Sequence, residues 1–207
     1  HTGILKSGFF THDNQYIVTA SFDQKINIYL ANDATLIRTI QGDAPINYID
    51  LSPDGTTIAG AIEDGTIKLW NFTTGSLIRT ISGHSGSVQS VKFNNDGTML
   101  VSASKDKKVI LWNTNDGTLI DSLIGHTNTV TRAIFSPDQQ SIISADYNRT
   151  IKVWKISDGS LLGNIAGHTG VVFDIDVHPN GSQLVSVSND RTVKIWNLVN
   201  YSLIKSL

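Results

Sequence analysis

The chain has 207 residues, 40% of them apolar and 16% charged, with 16 basic against 18 acidic side chains and a net charge of −2. That balance gives no electrostatic reason to expect nucleic acid or an anionic membrane surface as a partner. There is no cysteine, which excludes disulfides and thiolate metal sites and fits a cytoplasmic setting, and no apolar run approaches the roughly 18 residues of a membrane span.

Taken in order, five units of about forty residues follow one another, and the third is the clearest. From Gly83 to Asn113 it reads GHSGSVQSVKFNNDGTMLVSASKDKKVILWN. A Gly-His pair, an apolar run, an Asn-Asp-Gly turn, a second apolar run and Ser-Lys-Asp precede a third run that ends in Trp. Short apolar runs bounded by turn residues predict strands, here at 88–93, 99–103, 109–112 and 119–123. Gly-His returns at Gly125-His126 and Gly167-His168, so that His84, His126 and His168 stand 42 residues apart, as do Trp70, Trp112, Trp154 and Trp196. Asp54-Gly55, Asp96-Gly97 and Asn180-Gly181 supply residues that tolerate positive φ in a tight hairpin, and Gly75, Gly117 and Gly159 do the same between the third and fourth runs. Helical periodicity is absent, so the chain is expected to be all-β. With a single Met, and with His1 where the pattern asks for Gly-His, a piece of a longer polypeptide is expected.

The Gly-His…Trp spacing at this period marks a propeller blade, and the whole chain resembles the WD40 repeat family. The resemblance implies an all-β WD40-type β-propeller region over residues 1–207. It would hold five four-stranded antiparallel blades at about 1–41, 42–82, 83–124, 125–166 and 167–207, and form an arc of a larger ring of about seven. A four-stranded sheet that is apolar on both faces must stack on neighbours, and radial stacking produces a propeller. The resemblance also implies a buried structural tetrad in each blade. His84, Ser102, Asp106 and Trp112 supply it in the third and His168, Ser186, Asp190 and Trp196 in the fifth. The fourth has His126, Ser144 and Trp154 with Asn148 at the Asp position, so its histidine should lack a charged acceptor. The first has His1, Thr19, Asp23 and Tyr29, and the second keeps only Asp64 and Trp70. These two blades are expected to be the weakest.

A Ser/His/Asp set also suggests hydrolysis, but catalytic constellations occur once in a chain and this one recurs in every unit, as a structural device does. No metal cluster or Gly-rich phosphate loop stands out, and no cofactor is expected. Function is expected on the loops at the end that carries the Gly-His pairs. One ring of positions, at the start of each innermost strand, reads Lys6, Asn47, Gln89, Thr131 and Phe173. A second, just before the tetrad Asp position, reads Phe22, Glu63, Lys105, Tyr147 and Asn189. Phe173, Tyr147 and Phe22 are candidate anchors for a protein or peptide partner. Lys105, Arg149 and Arg191, with Lys107 and Lys108, form a basic stripe suited to acidic flanks; without aromatic stacking platforms the stripe is a weak nucleic-acid signal. The favoured reading is a non-enzymatic scaffold or sensor module of a larger protein. The alternatives are a purely architectural segment, joined to further blades of its parent chain or to copies of itself, and, less favoured, a catalytic or nucleic-acid-binding propeller.

Overall fold

The computed structural model describes residues His1–Leu207 and consists of strands and turns, with no helix long and apolar enough to cross a membrane. The first sheet holds β1 (Leu5–Phe10), β2 (Tyr16–Ser21), β3 (Lys25–Leu30) and β4 (Leu36–Gln41). The second holds β5 (Ile46–Leu51), β6 (Thr57–Ile62), β7 (Ile67–Asn71) and β8 (Leu77–Ile81), and the third β9 (Val88–Phe93), β10 (Met99–Ser104), β11 (Lys108–Asn113) and β12 (Leu119–Ile124). The fourth holds β13 (Val130–Phe135), β14 (Ser141–Asp146), β15 (Thr150–Lys155) and β16 (Leu161–Ala166), and the fifth β17 (Val172–Val177), β18 (Gln183–Ser188), β19 (Val193–Asn197) and β20 (Leu203–Ser206). Every sheet is an antiparallel meander in sequence order, and none closes on another.

The turn chemistry explains how each meander folds back. Gly55, Gly97 and Gly181 adopt φ of +73°, +74° and +75° between the first and second strands of their blades, in the left-handed region where a side chain is strained. In the first and fourth blades Asn14 and Gln139 take up the same conformation. The middle strands of the second, third and fourth blades are apolar on both faces because each of these blades is sandwiched between two others. Ile58, Leu100, Val101, Ile142 and Ile143 are all almost fully buried, and burying each such side chain contributes roughly 1.5–3 kcal/mol.

Four apolar clusters hold the blades together, one at each junction between consecutive blades. Five blades in a closed ring would need a fifth cluster between the last blade and the first, and the structure has none. The faces that would form it are bare. Leu5 and Phe10 on the first blade are each 60% exposed, and Leu207 on the fifth is 63% exposed, whereas the matching Leu123 and Ile165 are 3% and 1%. The molecule is an open arc.

Candidate functional site

The polar links inside the blades fix the strands that carry the surface. In the third blade, His84 Nδ1 lies 2.8 Å from Asp106 Oδ2 and its Nε2 lies 2.7 Å from Ser102 Oγ; Trp112 Nε1 donates to the same hydroxyl at 2.7 Å. His168, Asp190, Ser186 and Trp196 repeat this at 2.8, 2.7 and 2.8 Å. Burial pushes the His84 imidazole below its ordinary value, against the pull of Asp106. Burial also works to raise the Asp106 carboxyl, but His84 and the backbone N–H groups of Lys108 and Ser85 outweigh it and hold it below the usual carboxylate range. The pair therefore rests as carboxylate and neutral imidazole, with its polar atoms satisfied.

The fourth blade departs from the sequence expectation. Asn148 is not the acceptor, and His126 does not lack one. Asp146, two residues earlier at the position of Ser104 and Ser188, turns inward instead. Its Oδ2 lies 2.9 Å from His126 Nδ1, while its Oδ1 accepts from the backbone N–H and the hydroxyl of Thr150 at 3.0 and 2.9 Å. An Asp side chain is longer than the Ser it replaces and brings its carboxylate to the imidazole. Ser144 joins His126 to Trp154 at 2.7 and 2.8 Å. Asn148 is exposed and bonds Thr127 and Asn128 on the surface.

The first two blades use other links. His1 reaches Asp23 and Thr19 at 2.9 and 2.8 Å, but Tyr29 stands outside that set: its hydroxyl accepts from Asn27 Nδ2 at 2.9 Å. In the second blade Asp64 accepts only from Thr66, at 2.9 and 2.7 Å, closing its own turn and belonging to no tetrad. An ion pair between buried Lys68 and Asp43 occupies the His position. Trp70 lies against Gly60 so closely that a Cβ there would come within 2.6 Å of the indole. None of these sets is a catalytic triad: Ser102, Ser144 and Ser186 are 0% exposed, with each hydroxyl held between an imidazole and an indole, and no substrate reaches a nucleophile so placed.

The surface site is built by β-bulges. In each innermost strand the pairing with the second strand slips by one residue, at Lys6, Asn47, Gln89, Thr131 and Phe173. A bulge re-aims its extra side chain, and here all five border one hollow. Beside each bulge, the N–H of Phe22, Glu63, Lys105, Tyr147 or Asn189 donates to the carbonyl of Ile4, Pro45, Ser87, Thr129 or Val171, at 2.9–3.0 Å, so the two rings are tied together. All five bulge residues and Tyr147 line one concavity of about 380 Å³.

Its floor went unnamed in the sequence reading. Arg132 stacks on Tyr48, with the guanidinium carbon 3.9 Å from the ring centroid, and its Nε lies 2.9 Å from Asp174 Oδ1. The Nε–carboxylate approach is not aligned as a hydrogen bond, and the buried Nη1 has no partner, so the contact is an ion pair. The available signal was spacing: Tyr48, Ser90, Arg132 and Asp174 follow the first ring by one residue throughout.

The candidates are not equally free to bind. Phe173 and Tyr147 are 53% and 42% exposed. Asn47 is buried and donates to Glu63, Ser87 and the carbonyl of Val88, and Thr131 Oγ1 donates to the carbonyls of Val172 and Ala145. Lys105 is engaged by Glu63 at 2.7 Å. Burial works to raise the Glu63 carboxyl, but Lys105, Ser87 and Asn47 together hold it at about 2. Phe22 lies outside the concavity, covered by the Lys6 ammonium 4.9 Å from its ring centroid. Arg149 and Arg191 are exposed and also outside it.

Comparison with known proteins gives a consistent family. The repeat model described as "WD domain, G-beta repeat" matches residues 34–71, 75–113, 117–155 and 159–197, each match running from the outer strand of one blade to the third strand of the next. The chain is 34% identical over 81 residues to Autophagy-related protein 16 of Arabidopsis thaliana, covering 39% of this chain and 16% of that protein. It is 36% identical over 77 residues to Protein NEDD1 of Bos taurus, covering 37% and 12%. The Periodic tryptophan protein 2 homolog of Dictyostelium discoideum is 45% identical over 49 residues, covering 24% and 5%. The matches thus span about a sixth or less of these relatives.

Proposed function

The chain belongs to the WD40 repeat family, and on that premise we propose that it is a non-enzymatic, cytoplasmic protein-interaction scaffold that takes a peptide segment of its partner at the axial concavity. The observation that carries this reading is the convergence of five bulge residues from five blades on one rigid hollow whose only large exposed apolar groups are Phe173 and Tyr147. Aromatic side chains beside polar neighbours suit an anchor pocket. A single apolar side chain of the peptide enters between Phe173 and Tyr147, above the Arg132–Tyr48 floor. Arg149 and Arg191, which carry no pairing carboxylate, favour acidic residues on either side of it. Lys105 contributes less, because Glu63 already neutralises it.

The test is affinity capture with the intact chain, followed by calorimetry on the captured partner. The Phe173→Ala, Tyr147→Ala double variant should weaken binding by at least about 2 kcal/mol, the loss typical of a central anchor, while its thermal transition stays unchanged. Arg149→Ala should mainly slow association and reduce its salt dependence. Undiminished affinity in the double variant refutes the concavity as the site.

A further inference from the structure

Of the four buried side-chain polar atoms without a hydrogen-bond partner, two are Nε and Nη1 of Arg132. The side chain is only 11% exposed. Stacking on Tyr48 does not satisfy these atoms, because it engages the face of the guanidinium while the N–H bonds lie in its plane. Asp174 does not satisfy them either. It neutralises the charge from 2.9 Å without taking a hydrogen bond, and its own side chain is 55% exposed. Tyr48, Arg132 and Asp174 stand on β5, β13 and β17, so the second, fourth and fifth blades together hold the guanidinium in place. Buried donors left without an acceptor are costly in a native protein. A fixed, desolvated set of them is what an anion site presents before its ligand arrives.

There is open space against the guanidinium on two sides. Arg132 and Asp174 line both the hollow ringed by the bulge residues and a second cavity of about 510 Å³, which reaches Asn95, Pro137 and Pro179 in the first hairpin turns of the last three blades. Of the other cations lining the two cavities, Lys92 pairs with Asp50 and Lys6 lies over Phe22. Arg132 is therefore the cation left with donors to offer, and Asp174 already stands beside it. A phosphate dianion would set two negative charges against one guanidinium and next to a carboxylate. A ligand carboxylate brings one charge, and its planar pair of oxygens matches the guanidinium fork.

We propose that Arg132 hydrogen-bonds a carboxylate of the bound peptide at the floor of the hollow, beneath the apolar side chain held by Phe173 and Tyr147. The inference rests on the hollow being the peptide site. An Asp or Glu side chain and a free chain end supply the same planar anion, and Asp174 is the like charge that either must meet.

The test uses the intact chain and small probes, followed by NMR at the Arg132 Nε–H and at the amides of β13 and β17. The probes are N-acetyl-leucine, its uncharged amide, N-acetyl-leucyl-aspartic acid with its chain end amidated, and inorganic phosphate. At least one of the two acids should shift the Arg132 signal and bind at least about tenfold tighter than the uncharged amide. The acid with the larger gain identifies the source of the carboxylate, chain end or side chain. Arg132→Gln should abolish the preference for acid. Asp174→Asn should do the opposite and raise the affinity for acid by at least about threefold, since it removes a like charge; a purely structural ion pair would give no such gain. That variant and the comparison of acid with amide leave Arg132 untouched, so they decide the matter even where Arg132→Gln does not fold. The proposal is overturned if acids and amide bind equally, as they would with a water already on Nη1, or if the preference survives Arg132→Gln. It is also overturned if Asp174→Asn weakens the acid or if phosphate binds as tightly. Equal binding that disappears in the Phe173→Ala, Tyr147→Ala variant overturns the carboxylate alone and leaves the hollow as the peptide site, whereas no shift with any probe overturns both.

Discussion

Asp146→Ala should destabilise the fourth blade by about 3–5 kcal/mol, the usual consequence of removing one member of a buried pair. The substitution removes three bonds at once, to His126 Nδ1 and to the N–H and hydroxyl of Thr150. The His126 side chain is 0% exposed, so its ring nitrogen finds no water in compensation, and a buried group orphaned in this way costs about 1–3 kcal/mol by itself. Asn148→Ala removes only surface bonds and should cost under about 1 kcal/mol. The double change Asp146→Ser, Asn148→Asp rebuilds the arrangement seen around Ser104 and Asp106, so the two substitutions should couple by at least about 2 kcal/mol in favour of the pair. Urea unfolding followed by tryptophan fluorescence gives the stabilities. Hydrogen exchange at β14 and β15 localises the effect, since repeat arrays open unit by unit. The reasoning is refuted if Asn148→Ala costs as much as Asp146→Ala, or if the double variant is no more stable than Asp146→Ser alone.

Trp112→Ala should cost about 3–5 kcal/mol through the cavity and the orphaned Ser102 hydroxyl, and Tyr29→Ala clearly less in the same denaturation experiment, because Tyr29 is only half-buried and stands outside its blade's polar set. Gly60→Ser, which would copy the Ser of the other blades, should destabilise by about 1–3 kcal/mol, since its Cβ meets Trp70 at 2.6 Å; a higher melting temperature would contradict that packing. Stability should fall monotonically on acidification. The Glu63 carboxyl, held at about 2 in the folded chain against 4.5 ordinarily, contributes fully above pH 4.5 and loses its contribution toward pH 2. His84, held below its ordinary 6.5, takes up its proton more readily when unfolded, so stability already drops as pH falls below 6.5. Glu63→Gln should flatten the lower part of a melting-temperature profile; an unchanged slope there would refute the role given to Glu63.

The repeat made the architecture legible. Strands expected at 88–93, 99–103, 109–112 and 119–123 lie at Val88–Phe93, Met99–Ser104, Lys108–Asn113 and Leu119–Ile124, because short apolar runs and the positive-φ turn residues that bound them are both local signals. What failed was side-chain reach. Aligning Asn148 with Asp106 is correct for the backbone, yet the carboxylate arrives from Asp146, and no register pattern records how far a side chain extends. The ion pair of Lys68 with Asp43 escaped for the same reason. The bulges escaped because they are set by pairing with the second strand, and with them the floor of Tyr48, Arg132 and Asp174, whose residues approach one another only once the second to fifth blades are stacked.

Two kinds of repeated position can now be told apart. Where the blades must be held together, one requirement recurs and its solutions vary within it. His, Ser, Asp and Trp satisfy it in the third and fifth blades, a carboxylate displaced by two residues satisfies it in the fourth, and Lys68 reaching Asp43 past Gly60 satisfies it in the second. Each version leaves its buried polar atoms paired, which is all that stability demands. At the bulges the backbone device recurs while the side chains share nothing: Lys6, Asn47, Gln89, Thr131 and Phe173 are five residue types at five equivalent places. Packing does not require such a set, because Phe173 is half in solvent while Asn47 is buried. Recognition does require it, since a ring of identical groups presents the same chemistry in every direction and cannot orient an asymmetric ligand. Under the proposed function, the hollow these five residues surround would distinguish one end of a peptide from the other, with Phe173 on one flank and Lys6 across the arc from it.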